Sequence, residues 1–169
     1  VRAEKICASL VNHGHKVIIA CKWSGESAIR EDYDGYTLIR LGKGKGAFTT
    51  CFPGNPVWST ALSSIVHEFN PDLIICREMI PMQSCVKAAR KTIPIILDMA
   101  EHYPAAMREW KKYKMNVISR MAVHHLHIPD MIEKHAVRHA DAIITVCKEQ
   151  NERLHSEYNI ANDAMFIVH

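Results

Sequence analysis

At 169 residues the chain is one domain's worth of polypeptide, enough to bury roughly two thirds of its unfolded surface. Hydrophobic content of 48% with 23% charged residues excludes a disordered polyelectrolyte, and no apolar run reaches the roughly 18 residues a membrane span requires. A net charge of +3 is too mild to mark a nucleic-acid binder, and no nucleic-acid motif accompanies it; six scattered cysteines without a C-x-x-C pair fit buried, reduced thiols.

Ala3, Ile6, Cys7, Leu10 and Val11 recur at helical spacing and give the first segment one apolar face. Gly14 stands where a left-handed cap ends that helix, and residues 16–21 read as a strand. Asp34-Gly35 signals a turn before a second strand over 36–41, and a turn-rich loop carrying Gly42-Lys43-Gly44-Lys45-Gly46 runs on to Pro56. That loop fits neither the dinucleotide fingerprint nor the phosphate-loop pattern, and no helix start follows it. Helical spacing returns over 58–69, and Pro71-Asp72 introduces a third strand over 73–76. Pro81 opens another helix, and a fourth strand over 94–97 ends at Asp98. About forty residues, 104–139, then carry no strand pattern and read as two or three helices. Residues 142–146 form an apolar, β-branched run of the kind buried on both faces of a parallel sheet, and 165–168 begin a last strand.

Strand and helix alternate without hairpin signals, so the expected fold is α/β with a doubly wound, Rossmann-like parallel sheet. Such folds normally begin with a strand and a glycine-bearing turn, whereas here the first helix comes first and the last strand is cut short. The expectation is a single domain over 1–169, truncated at both ends.

Four motifs in order carry a family resemblance. Gly14-His15-Lys16-Val17 after the first helix resembles the Gly-His-Glu-Val opening of GT-B glycosyltransferases. Pro71-Asp72-Leu73-Ile74-Ile75-Cys76-Arg77 resembles their Pro-Asp-Ile-Ile-His strand, with Cys76 where His is common. Ile93-Pro94-Ile95-Ile96-Leu97-Asp98, with Glu101 and Tyr103-Pro104, looks like their Pro-Val-Ile-Asp strand end. Ala140-Asp141-Ala142-Ile143-Ile144-Thr145-Val146 looks like Ala-Asp-Ala-Ile-Ile-Thr-Val-Ser, with Cys147 in place of the serine. The chain thus resembles the amino-terminal half of glycosyltransferase family 4-like proteins. The resemblance implies an acceptor-side domain of an enzyme that transfers sugar from a nucleotide-sugar donor to a glycan, lipid-linked or other hydroxyl acceptor, as in polysaccharide biosynthesis. Most of the donor would be bound by a second domain, so this domain alone is expected to be inactive. No cofactor is implied.

Open parallel sheets bind ligands beyond the carboxyl ends of their strands, which directs attention to three places. Asp98, Glu101 and His102 follow one strand end and are the candidate catalytic groups, since a carboxylate or imidazole can orient or deprotonate an acceptor hydroxyl. Arg77 and Glu78 end the neighbouring strand, where a guanidinium fork could grip an acceptor phosphate or carboxylate. Lys148, beyond residues 142–146, is the third candidate for acceptor binding. His124, His125, His127, His135 and His139 cluster in sequence, but no H-E-x-x-H context accompanies them and no metal is expected.

Residues 108–127 interleave Arg108, Lys111, Lys112, Lys114 and Arg120 with Trp110, Tyr113, Met115, Val117, Ile118 and Met121, against the lone acid Glu109. Basic charge mixed with apolar side chains suits contact with an anionic membrane surface. The expected location is therefore cytoplasmic, with peripheral contact at the inner membrane face. Two other readings stay open at this level: a non-catalytic, flavodoxin-like binding module, and half of a sugar-nucleotide epimerase.

Overall fold

A computed structural model describes residues 2–23, 25, 28–42 and 51–168. Most of the glycine-lysine loop, residues 43–50, lies outside the described residues. From residue 56 onward strands and helical segments alternate as expected, while three strands follow the first helix. Helix α1 (Arg2–Asn12) leads to β1 (Val17–Lys22), β2 (Arg30–Tyr33) and β3 (Tyr36–Leu41), then α2 (Pro56–Phe69), β4 (Ile74–Arg77), α3 (Met82–Ala89) and β5 (Ile95–Asp98). Helices α4 (Tyr103–Glu109), α5 (Lys111–Met115), α6 (Val117–Arg120) and α7 (Ile128–Arg138) precede β6 (Ala142–Thr145), α8 (Lys148–Tyr158) and β7 (Met165–Ile167).

Strands β4, β5, β6 and β7 pair in that order, all parallel, while β1 pairs in parallel with β3 and β3 in antiparallel with β2. The antiparallel pair corrects the expectation of a fold without hairpins. Asp34-Gly35 does not merely precede a strand; it joins two, with Tyr33 facing Tyr36 across the turn. Gly35 has φ +83°, and a Cβ there would lie 2.3 Å from Val11 Cγ1, so the turn packs where only glycine fits against α1. Residues 104–139 hold a second correction. The expected two or three helices are four, with a wide π-type turn over Met121–His125 inserted before α7.

Local chemistry explains the element ends. His15 N–H donates to the Leu10 carbonyl across Gly14 (φ +84°), a glycine-capped helix end. The buried Asn55 side chain accepts from Val57 N and Trp58 N at 2.9 and 3.3 Å, with Pro56 in the first helical position of α2. The main core gathers Cys76, Met82, Leu97, Ile143 and Leu154 from strands and helices of the four-stranded sheet. A smaller core holds Ile39, Leu41 and Trp58, and Leu62 of α2 packs against both. All six cysteines are unpaired. Cys51 is buried enough for its thiol to be pushed up to about 11. Among the described residues no helix is long and apolar enough to cross a membrane.

Candidate functional site

The parallel register places Arg77 at the end of β4 beside Asp98 at the end of β5, and Asp98 beside Ile144 of β6. Asp98 is only 1% exposed, and both its oxygens are taken. Arg77 Nη1 lies 3.0 Å from Oδ2, and Arg2 of α1 places Nε and Nη2 3.0 Å from Oδ1. Arg2 also donates to the Val168 carbonyl at 2.8 Å, tying the chain's last strand to its first helix. A buried carboxylate is costly without partners, and here two guanidinium groups from distant elements supply them. Asp98 therefore acts as the anchor of an arginine pair. Arg77 remains 38% exposed, with the rest of its fork turned to solvent.

Glu78 follows immediately. Its backbone is left-handed (φ +64°), which costs a non-glycine residue of order 1–3 kcal/mol, and its N–H donates to the Asp98 carbonyl at 2.9 Å. The twist turns the chain sharply off the strand end. Burial raises the Glu78 carboxyl to about 7, opposed by the Arg77 guanidinium and a backbone N–H of Ala100, and reinforced by the negative charges of Glu101 and Asp98. A carboxyl that changes charge near neutral pH is suited to taking and returning a proton.

The other predicted residues are arranged less tightly. Glu101 is exposed on the bend after β5, and its carbonyl is 3.5 Å from Gln150 Nε2. His102 is half-buried at the head of α4, where its backbone, not its imidazole, caps the helix by accepting from Ala106 N at 3.0 Å. Lys148 opens α8, but its ammonium is highly exposed and lies 3.2 Å from Glu152 on its own helix. Asp98, Arg77 and Glu78 thus converge, Glu101 and His102 border them, and Lys148 points along the surface. His135 and His139 do meet, with ring centroids 4.1 Å apart and planes tilted by 38°, yet among the described residues no group of three or more potential ligands stands close enough to hold a metal.

Two participants went unread in the sequence. Arg2 lies 96 residues from Asp98, and nothing local marks it. Gln150, inside the first turn of α8, is buried with its side-chain oxygen unpartnered. Such an acceptor awaits a donor from a ligand or water.

The ordered motifs and the parallel sheet agree with one known family. The family model for Glycosyltransferase Family 4 matches residues 1–169. The chain belongs to glycosyltransferase family 4. A comparison with curated proteins gives no match. Membership agrees with the Rossmann-like half of a GT-B fold, in which helices flank a parallel sheet. It also assigns the chain to a group whose general chemistry is sugar transfer between a donor and an acceptor.

Proposed function

We propose that this glycosyltransferase family 4 domain is the acceptor side of an enzyme that moves a sugar from a nucleotide-sugar donor to a hydroxyl acceptor, glycan or lipid-linked. The observation that carries the reading is the Arg2–Asp98–Arg77 clamp with Glu78 beside it at the carboxyl ends of β4 and β5. Arg77 holds an anionic part of the acceptor, and Asp98 keeps that guanidinium in place. Glu78 accepts the proton of the attacking hydroxyl, while Glu101 and His102 orient the rest of the sugar or head group. Lys148 adds positive charge at the rim. A second domain holds most of the donor, and its closure on this face expels water before transfer. The isolated domain would then bind donor weakly and turn over nothing. Residues 108–127 bring the enzyme to an anionic membrane surface on the cytoplasmic side.

The test is a transfer assay on the full-length polypeptide with a panel of nucleotide-sugars. Asp98→Asn keeps the shape but leaves two arginines without their counter-charge. It should lower kcat/KM about 100-fold, roughly 2.7 kcal/mol of transition-state stabilisation, with the far-UV spectrum intact. Unchanged turnover in this variant sinks the assignment.

A further inference from the structure

Gln150 stands in the first turn of α8, and the register of β5 and β6 decides what lies beside it. Asp98 and Ile144 are partners across the two strands, and the Met99 N–H donates to the Ile144 carbonyl at 2.8 Å. The bend that carries Glu101 therefore leaves β5 alongside the end of β6. The Gln150 side chain bridges that bend and α8, with Nε2 3.5 Å from the Glu101 carbonyl. Such a contact is at the outer limit of a hydrogen bond and holds little. It does fix the sense of the amide, since the reverse would set two oxygens against each other.

The oxygen is left without a donor. Gln150 is 7% exposed, and its Oε1 is buried with no partner among the described residues. Each side-chain donor from Thr145 to Lys148 is spent elsewhere. The Thr145 hydroxyl goes to Asn151 Oδ1 at 2.5 Å, the Cys147 thiol to the Glu149 carboxylate, and the Lys148 ammonium to Glu152 at 3.2 Å. A buried acceptor left open costs the folded chain the desolvation of that oxygen, a cost that an apolar side chain of like shape avoids. A donor from outside the chain removes that cost, and the surrounding charge says of which kind. Glu149 precedes Gln150 in the chain, and Glu101 is the residue its amide touches. Acid therefore flanks the open oxygen, which disfavours a phosphate or carboxylate there and favours an uncharged hydroxyl.

We propose that Gln150 Oε1 accepts one particular hydroxyl of a sugar, and that this bond selects which sugar is held beyond the ends of β5 and β6. The need for an outside donor stands on the geometry alone. That the donor is a sugar hydroxyl rests on the transferase reading above.

The full-length polypeptide is titrated with the methyl glycosides of glucose, galactose and mannose, and with their deoxyfluoro analogues, by saturation-transfer NMR. Fluorine is close to a hydroxyl in size and cannot donate. Fluorination at one position should weaken binding to the wild type about tenfold, because it leaves Oε1 empty again. Gln150→Met, of like shape, should bind the parent glycoside about tenfold more weakly and no longer distinguish that analogue. Its Tm should hold or rise, since an unpaired oxygen has been removed. A fall of about 5 °C or more would make the side chain a structural strut and overturn the proposal. Fluorinated analogues that all bind as the parent does would overturn it too, as a water resident on Oε1 would give that result. Discrimination that survives in Gln150→Met, or no binding by any glycoside, does the same. None of these results touches the transferase reading, which is decided by the assay with nucleotide-sugars. Discrimination that depends on Gln150, with no sugar transfer from any donor, would fell the transferase reading and leave the sugar site supported.

Discussion

Asp98 and Glu133 are both carboxylates sealed from solvent and both held by arginine, yet they do different work. Glu133 of α7 is 0% exposed and receives Arg153 of α8 through two bonds of 2.8 and 3.0 Å, with the Tyr158 hydroxyl at 2.7 Å. Arg153 spends a further bond on Glu157, 2.9 Å away, and is only 15% exposed. Both Glu133 oxygens are met by Arg153, and Tyr158 adds a third bond, so the cluster pins α7 to α8. The carboxylate also drives the Tyr158 hydroxyl's ionisation upward, after burial itself. Asp98 uses the same chemistry at the strand ends, but its arginine partner Arg77 keeps open donors, and a titrating carboxyl sits next in the chain. Burial and ion pairing alone do not mark a site. What marks it is capacity left over, facing outward.

This contrast can be broken by mutation. The largest effect should come from Glu133→Ala, which strands a buried arginine and should cost about 3–5 kcal/mol, lowering Tm by roughly 10 °C or more. Turnover per folded molecule should stay as it was; a stable Glu133→Ala protein with lost activity would erase the distinction. Glu78→Gln comes next, acting on pH dependence. In the wild type the folded carboxyl titrates at about 7 against 4.5 for an ordinary glutamate, so the native state holds a proton that the unfolded chain has released. That contribution to stability is complete below about 4.5 and is lost as pH rises through about 7. Glu78→Gln should flatten the slope, leaving the variant more stable than wild type at pH 8 by about 1 kcal/mol once solvent screening is allowed for. The same change should lower kcat by about 10²–10⁴ and remove the fall in activity on the acid side of neutrality. A preserved acid limb would assign the proton to another group. Lys148→Ala should do least. Its pairing with Glu152 is exposed, so stability should move by no more than about 0.5 kcal/mol, and KM for an anionic acceptor should rise only a few-fold.

The elements legible in the sequence were those whose own residues dictate them. Ile95–Asp98 and Ala142–Thr145 are β-branched or apolar runs with turn formers before them, and both are strands within a residue of the reading. Strand β2 was missed because Arg30-Glu31-Asp32-Tyr33 is polar throughout. It is an edge held by β3 and by the pairing of Glu31 with Arg40 at 2.9 Å, so no buried face imprints an alternation on it. Helices α5 and α6 were blurred into longer ones because Asn116 interrupts the run. Its side chain caps the second piece by accepting from Ser119 N at 3.0 Å.

By itself the sequence determined the alternating α/β order, the strand ends where Arg77, Glu78 and Asp98 stand, and the mixed basic and apolar character of residues 108–127. These follow from residue type and spacing, which act over a few positions along the chain. Only the tertiary structure decided that Arg2 closes on Asp98, that Glu78 turns left-handed beside it, and that Gln150 comes to rest near Glu101. It likewise decided that Met79, Ile80, Ile128 and Met131 come together to line one apolar groove. Each of these depends on segments far apart in sequence meeting where the parallel strands end, and on the desolvation that such a meeting imposes on a carboxyl group.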